Sequence, residues 1–291
     1  MKELIRSLLI LTVPALFLFS CTGKTLGKVK SGEDNCIVDV CLGEVMISQD
    51  SGKQWISVAS GDLLKEYDLI ETKDKSYCDV VIPKMGLFRV SENSRVTIFD
   101  ILSKNSQLKL SKGKVQVKLT NKLEQGNEFK IETSSAVAAV RGTEFIIQMD
   151  GDHMKTVVKK GRVALKRNIP LNTTPEMKKK IETILEMEVN PYESINISGD
   201  DNKKLSIEIS GKISSLTNPE DLLKAVSNVK EKIEKEKVKI NDSELEKEFS
   251  SIGKDSEKAI KKADPDAVLD KNLKDIQDRN TETGVSNPRL K

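Results

Sequence analysis

The stretch 128–148, EFKIETSSAVAAVRGTEFIIQ, constrains the fold more than any other part of the chain. Phe129, Ile131 and Thr133 alternate with Lys130 and Glu132, the period-two pattern of a strand with one buried face. After Ser134 and Ser135 comes AVAAV, small and apolar, which predicts a fully buried strand. Gly142 then interrupts the run. A glycine inside a strand pattern marks a bulge or sharp bend, because it takes positive φ without the steric cost of a Cβ. The stretch therefore predicts strand, corner, strand, with Val140, Arg141, Gly142 and Thr143 at the corner. A cationic Arg141 between two apolar runs must reach water or find a partner.

The same habit runs from Ile37 to Arg167. Short alternating apolar runs are separated by Gly, Asp, Asn and Lys at intervals of about ten residues, which predicts an all-β sandwich, roll or barrel. A small pattern, Gly-x-Val-x-apolar, recurs at Gly43, Gly113 and Gly161, and each copy predicts a glycine turn feeding a strand. The runs QLKLS and KVQVKL, on either side of Gly113, are accordingly separate strands in this reading. The unequal intervals exclude a regular solenoid. Asp150-Gly151 between two strand patterns predicts a hairpin, and His153 just beyond it is an exposed turn residue.

With 291 residues the chain has room for one large domain or two modest ones. Only 37% of residues are hydrophobic and 4% aromatic, so part of the chain is solvated helix or tail. Basic and acidic side chains number 48 and 45, which gives no support for nucleic-acid binding. Residues 1–21 have the charged start (Lys2, Arg6) and short apolar run (Leu8 to Phe19) of a secretory signal, too short to span a membrane. The segment ends Leu18-Phe19-Ser20-Cys21, which resembles a bacterial lipobox of the looser spirochaete type. That resemblance implies lipidation at Cys21, with 22–36 as a polar tether. Thr22 after the lipidated cysteine resembles outer-membrane sorting.

Three further cysteines, Cys36, Cys41 and Cys78, are an odd number, so at least one thiol has no partner within the chain. Cys36 and Cys41 are an odd number of residues apart on one strand pattern, so they point to opposite faces and a direct bond needs a turn. Whether any pair is bridged stays open. One histidine and no CxxC make a metal site unexpected.

Beyond the β region, 172–190 predicts a helix. Thr174 can cap it, Pro175 suits the first helical position, and Met177, Ile181, Ile184 and Leu185 share a face that packs against the β domain. YESINIS and KLSIEIS then read as two short strands around Gly199, Asp200 and Asp201, taking the β domain to about residue 210. Asn218 to Asp221 starts another helix with Leu222, Val226, Val229 and Ile233 as its stripe. Ser243 to Glu246 has the spacing of a capping box, with Leu245, Phe249 and Ile252 following. Asp264-Pro265 starts a last helix carrying Val268, Leu269, Leu273 and Ile276. These stripes are narrow and suit a small helical hairpin, or helices that bind something, more than an independent core. Residues 280–291 are polar, as in a disordered tail.

Catalytic chemistry finds little footing. There is no Ser-His-Asp or Cys-His set, no P-loop and no GxGxxG after a strand. Asp68 and Glu71 could form a carboxylate pair, but an odd separation on a strand sends them to opposite faces. The chain is expected to be no enzyme, with no catalytic residue, no metal and no cofactor.

Taken in order, Gly43, Val45, Trp55, Val58, Gly61, Asp68, Ile70, Thr72, Gly86, Asn93, Ser94, Gly113, Val115, Val117, Phe129, Thr133, Val140, Arg141, Gly142, Thr143, Phe145, Gly161 and Val163 resemble the FecR-like domain family, over about 43–165. Tyr67 stands where the family usually has Gly, and Ser134 where Pro is common, both at turns. The resemblance implies a mainly β fold: an antiparallel sandwich or roll over 37–210 with one packed helix near 174–189, then a small amphipathic α-helical region over 217–279. It also favours a structural role for Arg141, Gly142, Thr143 and Phe145, with Arg141 paired, Gly142 permitting the bend and Thr143 tying the corner; the alternative is that the Arg141-Gly142-Thr143 corner is a contact surface. If Arg141 leaves a buried lone partner, its truncation costs about 3 kcal/mol or more. The function this points to is a lipid-anchored envelope protein, held at the outer membrane by its N-terminal lipid. Its β domain would be a non-catalytic binding or scaffolding module for another envelope protein or the cell-wall polymer, with no nucleic acid. The alternative is a periplasmic signalling component related to FecR-type sigma-factor regulation, lacking its own cytoplasmic and transmembrane parts.

Overall fold

The computed structural model describes residues 35–83, 85–100, 105–119, 128–216 and 218–249. The signal sequence with Cys21, nearly all of the tether, the helix from Asp264 and the tail from 280 lie outside the described residues. Fourteen strands come first: β1 (Cys36–Leu42), β2 (Val45–Ser48), β3 (Ile56–Ser57), β4 (Leu63–Leu64), β5 (Leu69–Thr72), β6 (Tyr77–Ile82), β7 (Gly86–Val90), β8 (Arg95–Asp100), β9 (Asn105–Leu119), β10 (Glu128–Glu132), β11 (Ala136–Val140), β12 (Glu144–Asp150), β13 (His153–Lys160) and β14 (Val163–Arg167). There follow α1 (Pro175–Ile184), β15 (Met187–Val189), β16 (Glu193–Ser198), α2 (Gly199–Ser215), α3 (Pro219–Glu234), β17 (Val238–Lys239) and α4 (Asp242–Phe249).

The strands build two sheets joined through β9. One sheet runs β4-β1-β6-β7-β9-β12-β13-β16-β17, and the other β3-β2-β5-β8-β9-β10-β11-β14-β15. Among these pairings β9–β10 is parallel and the others antiparallel. The fold is thus mainly β, as the alternation predicts, with a mixed ladder at one place.

QLKLS and KVQVKL are not two strands but one, β9. Asn105 to Lys112 pairs with β8 and β10, and Gly113 to Leu119 pairs with β7 and β12. The core-facing side chains change parity at the join, from Leu108 and Leu110 to Val115, Val117 and Leu119. A regular strand cannot do this, because side chains alternate strictly. Gly113, at φ +87, supplies the irregularity. The glycine that looked like a turn is a bend within a continuous strand.

Core residues from both sheets, including Ile47, Ile70, Phe88, Val117, Phe129, Ile131, Phe145 and Leu165, form one cluster. The helices enlarge it. Thr174 Oγ1 accepts from the Met177 N–H at 3.3 Å to cap α1, and Ile181 and Leu185 are buried. Asn218 Oδ1 accepts from the Glu220 N–H at 3.0 Å to start α3. The α3 stripe of Leu222, Val226, Val229 and Ile233 joins the same core as the strands. α3 packs against α1 and α2, and its narrow stripe reaches the common core alongside them.

KLSIEIS is helical, not a strand. Ser198 Oγ accepts from the Asp201 N–H at 3.0 Å, which caps α2, and Asp200 and Asp201 sit in its positive first turn. Leu205 and Ile209, four apart, pack on the core, while Ile207 is 75% exposed. Alternation over seven residues fits both periods; the cap decides between them. The cap of α4 also differs: Asn241 Oδ1 accepts from the Glu244 N–H at 2.9 Å, two residues before Ser243.

Candidate functional site

Each Gly-x-Val glycine stands where the chain passes from one sheet to the other. Gly43 lies between β1 and β2, Gly113 within β9, and Gly161 between β13 and β14. Opposite each is a hydroxyl residue that opens another strand: Ser76 before β6, Ser94 before β8 and Thr143 before β12. A Cβ on Gly43, Gly113 or Gly161 would come within 2.3, 2.2 or 2.8 Å of that hydroxyl. Ser76 Oγ accepts from the Glu44 N–H and Ser94 Oγ from the Lys114 N–H, both at 2.9 Å. Thr143 instead donates to the Arg162 carbonyl at 3.1 Å. Each bond reaches the residue just after the glycine. These are three copies of one device, a crowded corner tied by a hydroxyl, which closes the two sheets onto each other.

Arg141, Gly142 and Thr143 belong to this device. Gly142 turns the chain at φ +78. Thr143 and Phe145 are fully buried. Arg141 reaches the surface, with its side chain 55% exposed, and meets Glu128 at 3.0 Å. Lys130 also meets Glu128, at 3.1 Å. The hydrogen bond from Lys130, then that from Arg141, holds the Glu128 carboxyl below its usual range. Arg141 thus has the carboxylate partner expected of it, but neither group is buried.

The proposed carboxylate pair separates. Asp68 is buried and accepts from the Lys65 N–H at 2.9 Å. Glu71 lies on the other face and binds Lys73 and Arg95. His153 is exposed beside Asp152, with Nδ1 at 2.9 Å from its carboxylate. Among the described residues, no three His, Cys, Asp or Glu side chains stand close enough to hold a metal ion.

One polar row was missed. On the outer face of the first sheet, Asp79, Arg89, Gln116, Ile146, Val157 and Ser194 stand side by side across β6, β7, β9, β12, β13 and β16. All are buried. Arg89 grips Asp79 through two bonds, Nε–Oδ1 at 2.5 Å and Nη2–Oδ2 at 2.6 Å, and lies 4.0 Å over the Tyr77 ring. The signal was available: Asp79 and Arg89 are equidistant from a turn around residue 84, so a hairpin there sets them opposite one another.

The two apolar members of the row, Ile146 and Val157, are covered by α4. Leu245 and Phe249 pack on Ile146, Val157 and Ile240. Gln116 Nε2 donates to the Glu248 carbonyl at 2.5 Å, and Lys114 meets the Glu248 carboxylate at 3.0 Å. Beside the uncovered part of the row is an open groove of about 670 Å³ lined by Tyr77, Arg89, Lys75, Lys112, Lys114, Glu92 and Asp150, among others. With Asp79 on Arg89 and Glu248 on Lys114, its remaining charges nearly balance. The groove can take up polar, hydrogen-bonding groups but has no excess charge to select an ion.

Residues 68–164 match the family model described as FecR protein. The match covers about a third of the chain, from Asp68 before β5 into β14. It includes the corners at Gly113 and Gly161 and only the Ser76 side of the first. Two solved structures of a proposed anti-sigma factor from Parabacteroides distasonis, at 1.65 and 2.50 Å resolution, are similar at 15% identity and a TM-score of 0.35. The similarity covers 45% of this chain and 54% of theirs, so the chain spans about half their length. A likeness of that size carries no argument. No curated protein matches the chain.

Proposed function

We propose that this chain, whose β body carries a FecR domain, is a lipid-anchored envelope protein that binds or scaffolds a neighbour and performs no catalysis. The observation that carries the reading is the family match over 68–164, which takes in β5 to β13 and the start of β14 of the two-sheet body. Three charged groups of that body are engaged structurally: Asp79 with Arg89, Glu71 with Lys73 and Arg95, and Glu128 with Lys130 and Arg141. Residence at the membrane rests on lipidation of Cys21. Among the described residues no helix is long and apolar enough to cross a membrane, which says nothing of a β-barrel. The partner is another envelope protein or the cell-wall polymer. Phase partitioning of the native protein in detergent tests the anchor: recovery in the detergent phase that Cys21→Ala abolishes supports it, and recovery of the native chain in the aqueous phase refutes it. Crosslinking in intact cells, with capture through the β body, tests the binding role. Cell-wall fragments or a recurrent envelope protein would support it.

The same domain match favours a second reading, a periplasmic component of FecR-type regulation that hands a signal to a separate partner. Deletion of the gene without change in iron-responsive transcription would count against it.

A further inference from the structure

We propose that Cys41 and Cys78 form a disulfide-bonding site that closes β1 onto β6. The two residues are direct partners in the antiparallel β1–β6 ladder. Such partners have Cα atoms about 4.5–5.5 Å apart, inside the roughly 4.4–6.8 Å that a disulfide spans. Their sulfurs are 3.1 Å apart, so both side chains already point at each other. A bulge explains how. The β1–β6 register shifts between Val38 and Val40. That extra residue changes the parity of β1, bringing Cys41 onto the face that Cys36 and Val38 already share. Opposite faces for Cys36 and Cys41 would hold only on a regular strand.

Cys36 stays out of the bond. It lies opposite Leu64, five residues along β1 from the Cys41–Cys78 rung, roughly 15 Å away at the rise of a strand. It is fully buried, and that burial pushes its thiol far above the usual range. Cys78 is buried too, and its thiol is raised first by its hydrogen bond with Cys41 and then by burial. Cys41 is only half-buried, so the exchange starts there. The Cys41 thiolate attacks one sulfur of an external disulfide, forming a mixed disulfide and releasing one thiolate. The Cys78 thiolate then attacks Cys41 Sγ, and the second external sulfur leaves. The two cysteines lose two protons and two electrons, and the external disulfide is reduced to two thiols. With Cys78 at contact distance the mixed disulfide does not accumulate.

The test uses the full chain with glutathione disulfide as the oxidant and peptide mass spectrometry as the readout. The expected product is a Cys41–Cys78 crosslink, two hydrogens lighter than the dithiol, with Cys36 still a thiol and the same crosslink in Cys36→Ala. The closed loop separates residues 37 apart in sequence, so oxidation should raise the midpoint of thermal unfolding by roughly 10 °C. A stable glutathione adduct on Cys41 with Cys78 still free, or both thiols unchanged at equilibrium, would overturn the proposal. Both readouts use the wild-type chain, so the result does not depend on a Cys41→Ser variant folding.

Discussion

Gly113 and Ser94 meet where β9 leaves one sheet for the other, and the contact leaves no room for a side chain on Gly113. A Cβ there would lie 2.2 Å from Ser94 Oγ and 2.5 Å from Ser94 Cα. The hydroxyl could rotate aside, but the backbone atom could not. The residue also sits at φ +87, which an L side chain resists.

Gly113→Ala should therefore destabilise the protein by about 3 kcal/mol or more, a midpoint shift of roughly 10 °C. Gly151→Ala is the control. Gly151 also has positive φ, at +59, but nothing lies within 4 Å of its Cβ position. Backbone strain alone should cost it about 1–2 kcal/mol. Thermal unfolding of the two variants separates crowding from strain; equal losses would show that the corner yields.

Two arginines, each paired with a carboxylate, should behave oppositely. Arg141 is 55% exposed on a partly exposed carboxylate, so Arg141→Ala should cost less than about 1 kcal/mol. The larger loss expected from its place in the sequence needs a buried partner, and Glu128 is not one. Arg89 is 6% exposed over an Asp79 that is 1% exposed. Arg89→Ala should cost about 3–5 kcal/mol, because it strands a buried carboxylate. Urea titration of both variants checks the ranking. A loss at Arg141 matching that at Arg89 would contradict it.

The contrast between these arginines marks what the sequence could reveal. Alternation and glycine spacing identify the strands and the corner at Gly142, because burial of one sheet face imposes them residue by residue. The same signals could not tell that Gly113 bends a strand which continues, since a bend and a turn demand the same backbone freedom. KLSIEIS misled for a related reason: its apolar positions at 205, 207 and 209 satisfy a two-residue period, and only the Ser198 cap and the exposure of Ile207 reveal the helix. Burial of Arg89, and exposure of Arg141, depend on strands far apart in sequence. The groove beside Tyr77 is likewise invisible before β6, β7, β9 and β12 are assembled.

Acid should weaken the fold through two surface carboxylates. Glu71 is held below its usual range by the Lys73 hydrogen bond and then by Arg95, against some opposition from burial. Glu128 is lowered likewise by Lys130 and then Arg141. A carboxyl with a lowered folded pKa stabilises the native state at any pH above its unfolded value, about 4.3 for Glu. That contribution fades as pH falls through the unfolded value and is gone below the folded one. The midpoint should thus be flat near neutrality and fall below about pH 4.5. Glu71→Gln and Glu128→Gln should each start lower at pH 7 and lose less on acidification. Parallel curves for variant and wild type would dismiss these two groups as the source.

The α4 helix should open without the β body. The α4 contacts, Leu245 and Phe249 on Ile146, Val157 and Ile240, form an apolar cluster apart from the main core. Its other attachments are polar: Gln116 and Lys114 to Glu248, and Lys159 to Glu246 at 3.0 Å. An eight-residue helix has little stability of its own, so packing must hold it. Leu245→Ala removes part of that packing and should cost about 2 kcal/mol locally, making amide exchange in 242–249 roughly thirtyfold faster. Because the strands keep their own core, exchange at Val117 and Phe145 should not change. Faster exchange spreading through β9 and β12 would mean that α4 and the sheet unfold as one unit, and that the outer-face cluster is part of the core after all.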